Sequence, residues 1–107
     1  MGTEMRHVPR RKVTIVAEAL LEDRIVRELR GLGARGFTIA DVRGQGSRGV
    51  RAGDWEGRNV RIETIVSDEV AERVLEHVAT QYFANYAVIA WVDEVDRKST
   101  RLNSSHI

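Results

Sequence analysis

The sequence predicts an α+β fold of order βαββαβ, a four-stranded antiparallel sheet with both helices on one face. Three observations carry this expectation. Four short stretches rich in β-branched residues alternate with two segments of helical periodicity. Capping and stop residues flank the helical segments. The chain has 107 residues, 42% of them hydrophobic, which suits one small folded domain rather than two.

Residues 1–11 have no period and hold the only proline, Pro9. They are expected to form a disordered N-terminal arm, either a solvated tail or a basic binding arm. Residues 12–17 (KVTIVA) are apolar and β-branched, a buried strand. Leu20, Leu21, Ile25, Leu29 and Leu32 then recur at helical spacing. Glu22 and Asp23 sit in the first turn and Arg27 and Arg30 near the last, as the helix dipole favours. Gly31, Gly33 and Gly36 supply stops.

Residues 37–43 (FTIADVR) alternate and form the second strand. Residues 59–66 (NVRIETIV) form the third, with Val60, Ile62, Thr64 and Val66 on one face and Arg61 and Glu63 on the other. Ser67 or Asp68 caps the second helix. Its core stripe is Val70, Ala71, Val74, Leu75, Val78, Ala79 and Tyr82. A turn at 84–86 leads to the last strand, 87–95 (AVIAWVDEV), where Trp91 is a sheet-packing residue.

This order is the ferredoxin-like split βαβ arrangement. One layer of helices leaves the second sheet face uncovered, with Ile39, Ile65 and residues of the last strand expected on it. A domain over residues 12–95 is small, so burial of that face by self-association is expected.

Residues 96–107 (DRKSTRLNSSHI) are polar and without period. Residues 96–106 resemble one translated frame of a widely used sequencing-adapter oligonucleotide. They are therefore expected to be a non-native segment, the other reading being a disordered tail.

Composition excludes several classes. Seventeen Lys+Arg against 16 Asp+Glu give a net charge of +1. Without residues 96–107 the balance turns slightly negative, so no global attraction to nucleic acid is expected. RNA binding by the sheet also lacks the paired aromatics such a sheet uses. No apolar run reaches the ~18 residues of a membrane span, and no signal peptide is evident. The absence of cysteine excludes thiolate chemistry and points to a reducing cytoplasm. His7, His77 and His106 are scattered, so no metal site is expected, and His77 reads as a surface residue. Glu22 and Asp23, like Asp68 and Glu69, are helix-start charges, and no catalytic residues are assigned.

Residues 44–58 (GQGSRGVRAGDWEGR) carry most of the information. The segment is longer than an ordinary loop of about 4–6 residues and holds five of the nine glycines. In Gly44-Gln45-Gly46-Ser47-Arg48 the glycines let backbone N–H groups converge on an anion. Ser47 adds a hydroxyl and Arg48 a planar fork for phosphate or carboxylate, with Arg51, Arg58 and Arg61 nearby. Spacing alone leaves an anion cradle and a flexible hairpin loop equally open. Trp55 is either a partner anchor or packs on its own oligomer.

Three stretches, KVTIVAEALLEDRIV, GARGFTIADVRGQGSRGVR and GRNVRIETIVSDEVAERVLEHV, resemble the PII-like signalling proteins over most of residues 12–95. The Gly-Phe-Thr before Gly-Gln-Gly-Ser-Arg and the Phe-Ala-Asn-Tyr-Ala turn fit the bicarbonate-linked branch, associated with carboxysomes or bicarbonate transporters. The resemblance implies a homotrimer binding an adenine nucleotide in each intersubunit cleft. It places Phe37 and Thr38 beside the adenine. Gly44, Gly46, Ser47 and Arg48 would form a phosphate cradle at the base of a target-docking T-loop. Arg51 would reach further phosphate or bicarbonate. Asn85, Tyr86 and Ala87 would close the cleft from the neighbouring subunit.

The chain departs from classical nitrogen-regulatory members. Residues 82–87 lack lysine and glycine, residues 44–58 lack tyrosine, and the glutamine that classical members carry beside the loop arginine for 2-oxoglutarate is replaced by the Ser47-Arg48-Gly49 pattern. Uridylylation and 2-oxoglutarate sensing are therefore not expected, and AMP, ADP or a cyclic nucleotide is favoured over ATP. A bicarbonate transporter or carboxysome component is the target the branch implies. The alternative is a small ferredoxin-like enzyme of acylphosphatase type using Arg48 and Asn85. Such enzymes carry an arginine after the first strand, and residues 17–21 contain none.

Overall fold

Alternating buried positions build the sheet. The computed structural model describes residues 5–43 and 58–100. They form β1 (Met5–Glu18), a 3-10 turn (Ala19–Leu21), α1 (Glu22–Gly31), β2 (Thr38–Val42), β3 (Asn59–Val66), α2 (Asp68–Gln81) and β4 (Ile89–Thr100). The strands pair in the order β2-β3-β1-β4, each pair antiparallel. The predicted α+β ferredoxin-like architecture is therefore the observed one.

Register decides which side chains enter the core. Val13 faces Thr64, Ile15 faces Ile62 and Ala17 faces Val60 across β1 and β3. All six are buried. Leu21, Ile25 and Leu29 from α1 and the turn before it close over them, with Ala71, Val74, Val78 and Tyr82 from α2 and the turn after it. Burying a side chain of this size stabilises by about 1.5–3 kcal/mol.

The two helices start and stop differently. Ser67 Oγ accepts the Val70 N–H at 3.3 Å and caps α2. At the end of α1, Gly33 has φ +114°, which a side chain rarely adopts. The Ala34 N–H bonds Leu29 O and the Gly33 N–H bonds Arg30 O, the paired bonds of a Schellman stop.

The structure corrects several expectations. Leu20 is 79% exposed, because α1 begins only at Glu22 and the preceding 3-10 turn points Leu20 outward. Ala79 is exposed as well. Ile39 pairs with Ile62, so it lies on the helix side at the sheet edge, not on the open face. Ile65, Ile89 and Trp91 do lie on the open face, as register partners of Lys12, Val16 and Thr14. Arg61 contacts Glu63 along β3 at 3.4 Å, and Lys12 reaches Glu63 from β1 at 3.8 Å.

The strand ends also differ from expectation. β1 begins at Met5 rather than residue 12, and β4 continues past Val95 to Thr100. Met5 pairs with Thr100 and Val8 with Arg97, so the two segments extend one ladder. Main-chain pairing needs no apolar face, so hydropathy alternation gave no sign of it.

Candidate functional site

Two regions carry the described candidate residues, and they lie on opposite edges of the sheet. The first is the turn between α2 and β4. Tyr82 ends α2 by donating its N–H to Val78 O, and its own carbonyl accepts the N–H groups of Asn85 and Tyr86 at 3.2 and 2.9 Å. Val88 N–H bonds Tyr86 O and leads into β4. The turn thus presents Phe83, Asn85, Tyr86 and Ala87 as exposed residues around one buried tyrosine.

Tyr82 is fully buried, and its hydroxyl donates to Glu28 Oε1 at 2.7 Å. The same oxygen lies 2.8 Å from His77 Nε2, while Arg24 Nε donates to Glu28 Oε2 at 3.1 Å. The Arg24 guanidinium lies over the Tyr82 ring at 4.8 Å and 5.9 Å from the Tyr86 ring centre. It also reaches the Tyr86 hydroxyl at 3.4 Å. Burial pushes the Glu28 carboxyl up, but the bonds from His77, Tyr82 and Arg24 outweigh it and hold the group at about 2. Burial first, then the neighbouring Glu28, pushes the Tyr82 hydroxyl well above its ordinary range.

His77 is therefore a half-buried partner of Glu28, not a free surface histidine. The sequence reading overlooked this cluster. Its signals were the i, i+4 spacing of Arg24 and Glu28 and a tyrosine in an apolar stripe, whose hydroxyl requires a partner.

The second region is the opposite edge. Phe37 packs against the core, with the Arg30 guanidinium 5.6 Å from its ring centre. Thr38 is exposed on β2, opposite Glu63. Thr64 Oγ1 donates to Gly36 O at 2.7 Å and fixes the entry to the strand. The root of the long loop is pinned where Ala19 N–H bonds Arg58 O at 2.7 Å, beside an exposed Arg58–Asp41 pair at 3.4 Å. Gly44, Gly46, Ser47, Arg48, Arg51 and Trp55 lie outside the described residues.

The two regions do not meet within one chain. β2 and β4 are separated by β3 and β1, three steps of about 4.8 Å. Yet Val42 and Asn59, at the loop root, lie level with Glu18, and β4 starts opposite Val16. The 82–87 turn and the loop root thus leave the same end of the sheet on opposite edges. Among the described residues no group of His, Asp and Glu could hold a metal ion, and no helix is long and apolar enough to cross a membrane.

Comparison with known proteins is consistent with this fold. A family model described as nitrogen regulatory protein P-II matches residues 10–101. The chain is 57% identical to a candidate PII-like signalling protein of Thermus thermophilus, with a TM-score of 0.74, covering 85% of this chain and 91% of that one. CPII of Thiomonas intermedia, a nitrogen regulatory PII-like protein bound to ADP, AMP and bicarbonate, is 22% identical. That match has a TM-score of 0.72 and covers 86% of this chain and 96% of CPII. GlnK of B. subtilis in complex with ATP is 19% identical, with a TM-score of 0.62 over 84% of this chain and 92% of GlnK. A search of curated proteins returned no match. With its split βαβ sheet and the family match over most of its length, the chain belongs to the P-II family of regulatory proteins.

Proposed function

We propose that this chain is a regulatory sensor of adenine nucleotides that acts as a homotrimer. The observation that carries the reading is the separation of the candidate residues. Phe37 and Thr38 lie at one sheet edge and Asn85, Tyr86 and Ala87 at the other. Copies arranged edge to edge would join these halves into a cleft. ADP and AMP bound to CPII, and ATP bound to GlnK, support an adenine nucleotide as the ligand class. Bicarbonate bound to CPII supports bicarbonate as a second ligand.

In this reading Gly44, Gly46, Ser47 and Arg48 take the phosphate, with Arg51 reaching further phosphate or bicarbonate. Occupancy shifts the loop between conformations that present or hide a docking surface, with Trp55 as its anchor. The target is a protein of inorganic-carbon handling, a bicarbonate transporter or carboxysome component, and the setting is the cytoplasm.

Calorimetry with AMP, ADP, ATP and cyclic AMP, with and without bicarbonate, tests the assignment. Arg48→Ala is expected to weaken the preferred nucleotide by about tenfold or more while the trimer survives. Unchanged affinity would remove Arg48 from the site. Absence of binding by the parent chain would end the nucleotide reading.

A further inference from the structure

The turn carrying Asn85, Tyr86 and Ala87 is exposed and belongs to no helix or strand. Left to itself, such a segment samples many conformations, and each ordered residue costs about 1–2 kcal/mol of backbone entropy. A turn that closes a ligand cleft therefore gains from being held in place beforehand. Here the holding groups come from a different element, α1.

Glu28 and Arg24 lie on adjacent turns of α1 and bond each other at 3.1 Å. Glu28 receives the hydroxyl of the buried Tyr82, whose carbonyl organises the turn through the Asn85 and Tyr86 amides. Arg24 lies over the Tyr82 ring and touches the Tyr86 hydroxyl, while the two tyrosine rings stand 5.5 Å apart. His77 of α2 completes the set on Glu28. One carboxylate thus ties α1, α2 and the turn together.

We infer that Arg24 and Glu28 are positioning residues that hold the 82–87 turn ready to close over a ligand. Neither need touch the ligand. The inference rests on the nucleotide reading above for the identity of that ligand, but the anchoring can be measured without any ligand.

The experiment compares the full chain with Arg24→Gln and Tyr82→Phe, using Arg27→Gln as a control on an exposed arginine of the same helix. Amide hydrogen exchange of the free protein at Asn85 and Tyr86 is measured first. ADP affinity, thermal midpoint and oligomer mass follow. Arg24→Gln is expected to speed exchange at both amides and weaken ADP about fivefold or more, roughly the loss of one charged contact. Its oligomer mass is expected to match that of Arg27→Gln, and its thermal midpoint to fall by only about a few degrees, since one of the bonds to Glu28 is lost. Tyr82→Phe is expected to act in the same direction. Faster exchange without loss of ADP affinity would overturn the role in binding. Unchanged exchange with ADP still bound would overturn the anchoring alone. Affinity lost only in step with thermal midpoint or oligomer mass would reduce Arg24 to a structural residue. A parent chain that binds no nucleotide would overturn the nucleotide reading, and with it the ligand assigned to this turn.

Discussion

Two threonines separate the two faces of the sheet. Thr14 and Thr64 are both 1% exposed, and they occupy neighbouring registers of β1 and β3. Thr64 points to the helix side and donates its hydroxyl to Gly36 O at 2.7 Å. Thr14 points to the other side, between Glu63 and Trp91 in register, and its hydroxyl has no partner among the described residues. Such a group costs about 1–3 kcal/mol when desolvated unpaired. The helix side is a finished core. The other side combines a buried polar atom with Ile89 at 52% and Trp91 at 42% exposure, the composition of a face still to be covered.

The largest effect is expected on the finished side. Thr64→Val keeps the shape but removes the bond to Gly36, and should cost about 1–3 kcal/mol in urea unfolding. A neutral result would mean that the strand entry does not depend on this bond.

Thr14→Val makes the same chemical change on the open side and should have the opposite sign, a gain of up to about 1 kcal/mol. Loss of stability together with loss of the oligomer would mean instead that Thr14 bonds a neighbouring copy. That outcome would convert the contrast between the faces into direct evidence that copies of the chain meet on this face.

The smallest effect concerns the polar rim of the finished side. Glu28 is held at about 2, below its ordinary 4.5, so its native bonds stabilise the fold above pH 4.5. That contribution is lost as pH falls from about 4.5 to about 2, because the unfolded chain takes up the proton first. Glu28→Gln should flatten this part of the stability curve. Since Glu28 is partly exposed, the slope is expected to be shallow. An unchanged curve would show that other carboxylates control acid unfolding.

Much of this was legible in advance. Period-two alternation in β3 and the i, i+4 rows of α2 name their buried faces, Ala79 excepted, since burial repeats with local geometry. Leu20 misled because the helical period was extended one turn too early. Ile39 misled because the face of an edge strand depends on its register with β3, which no local pattern states. The phosphate-cradle residues were singled out from glycine spacing and family resemblance, and they fall in 44–57, outside the described residues.

The sequence by itself determined the order of elements, the core stripes, the caps and the membership in the P-II family, because each is written in local spacing or residue identity. Only the tertiary structure decided that Glu28, already paired with Arg24 along α1, gathers His77 and Tyr82. Only it showed that the candidate residues of one chain lie on opposite sheet edges. Both facts join residues far apart in sequence, and their distances follow from strand order and register rather than from the period of any one segment.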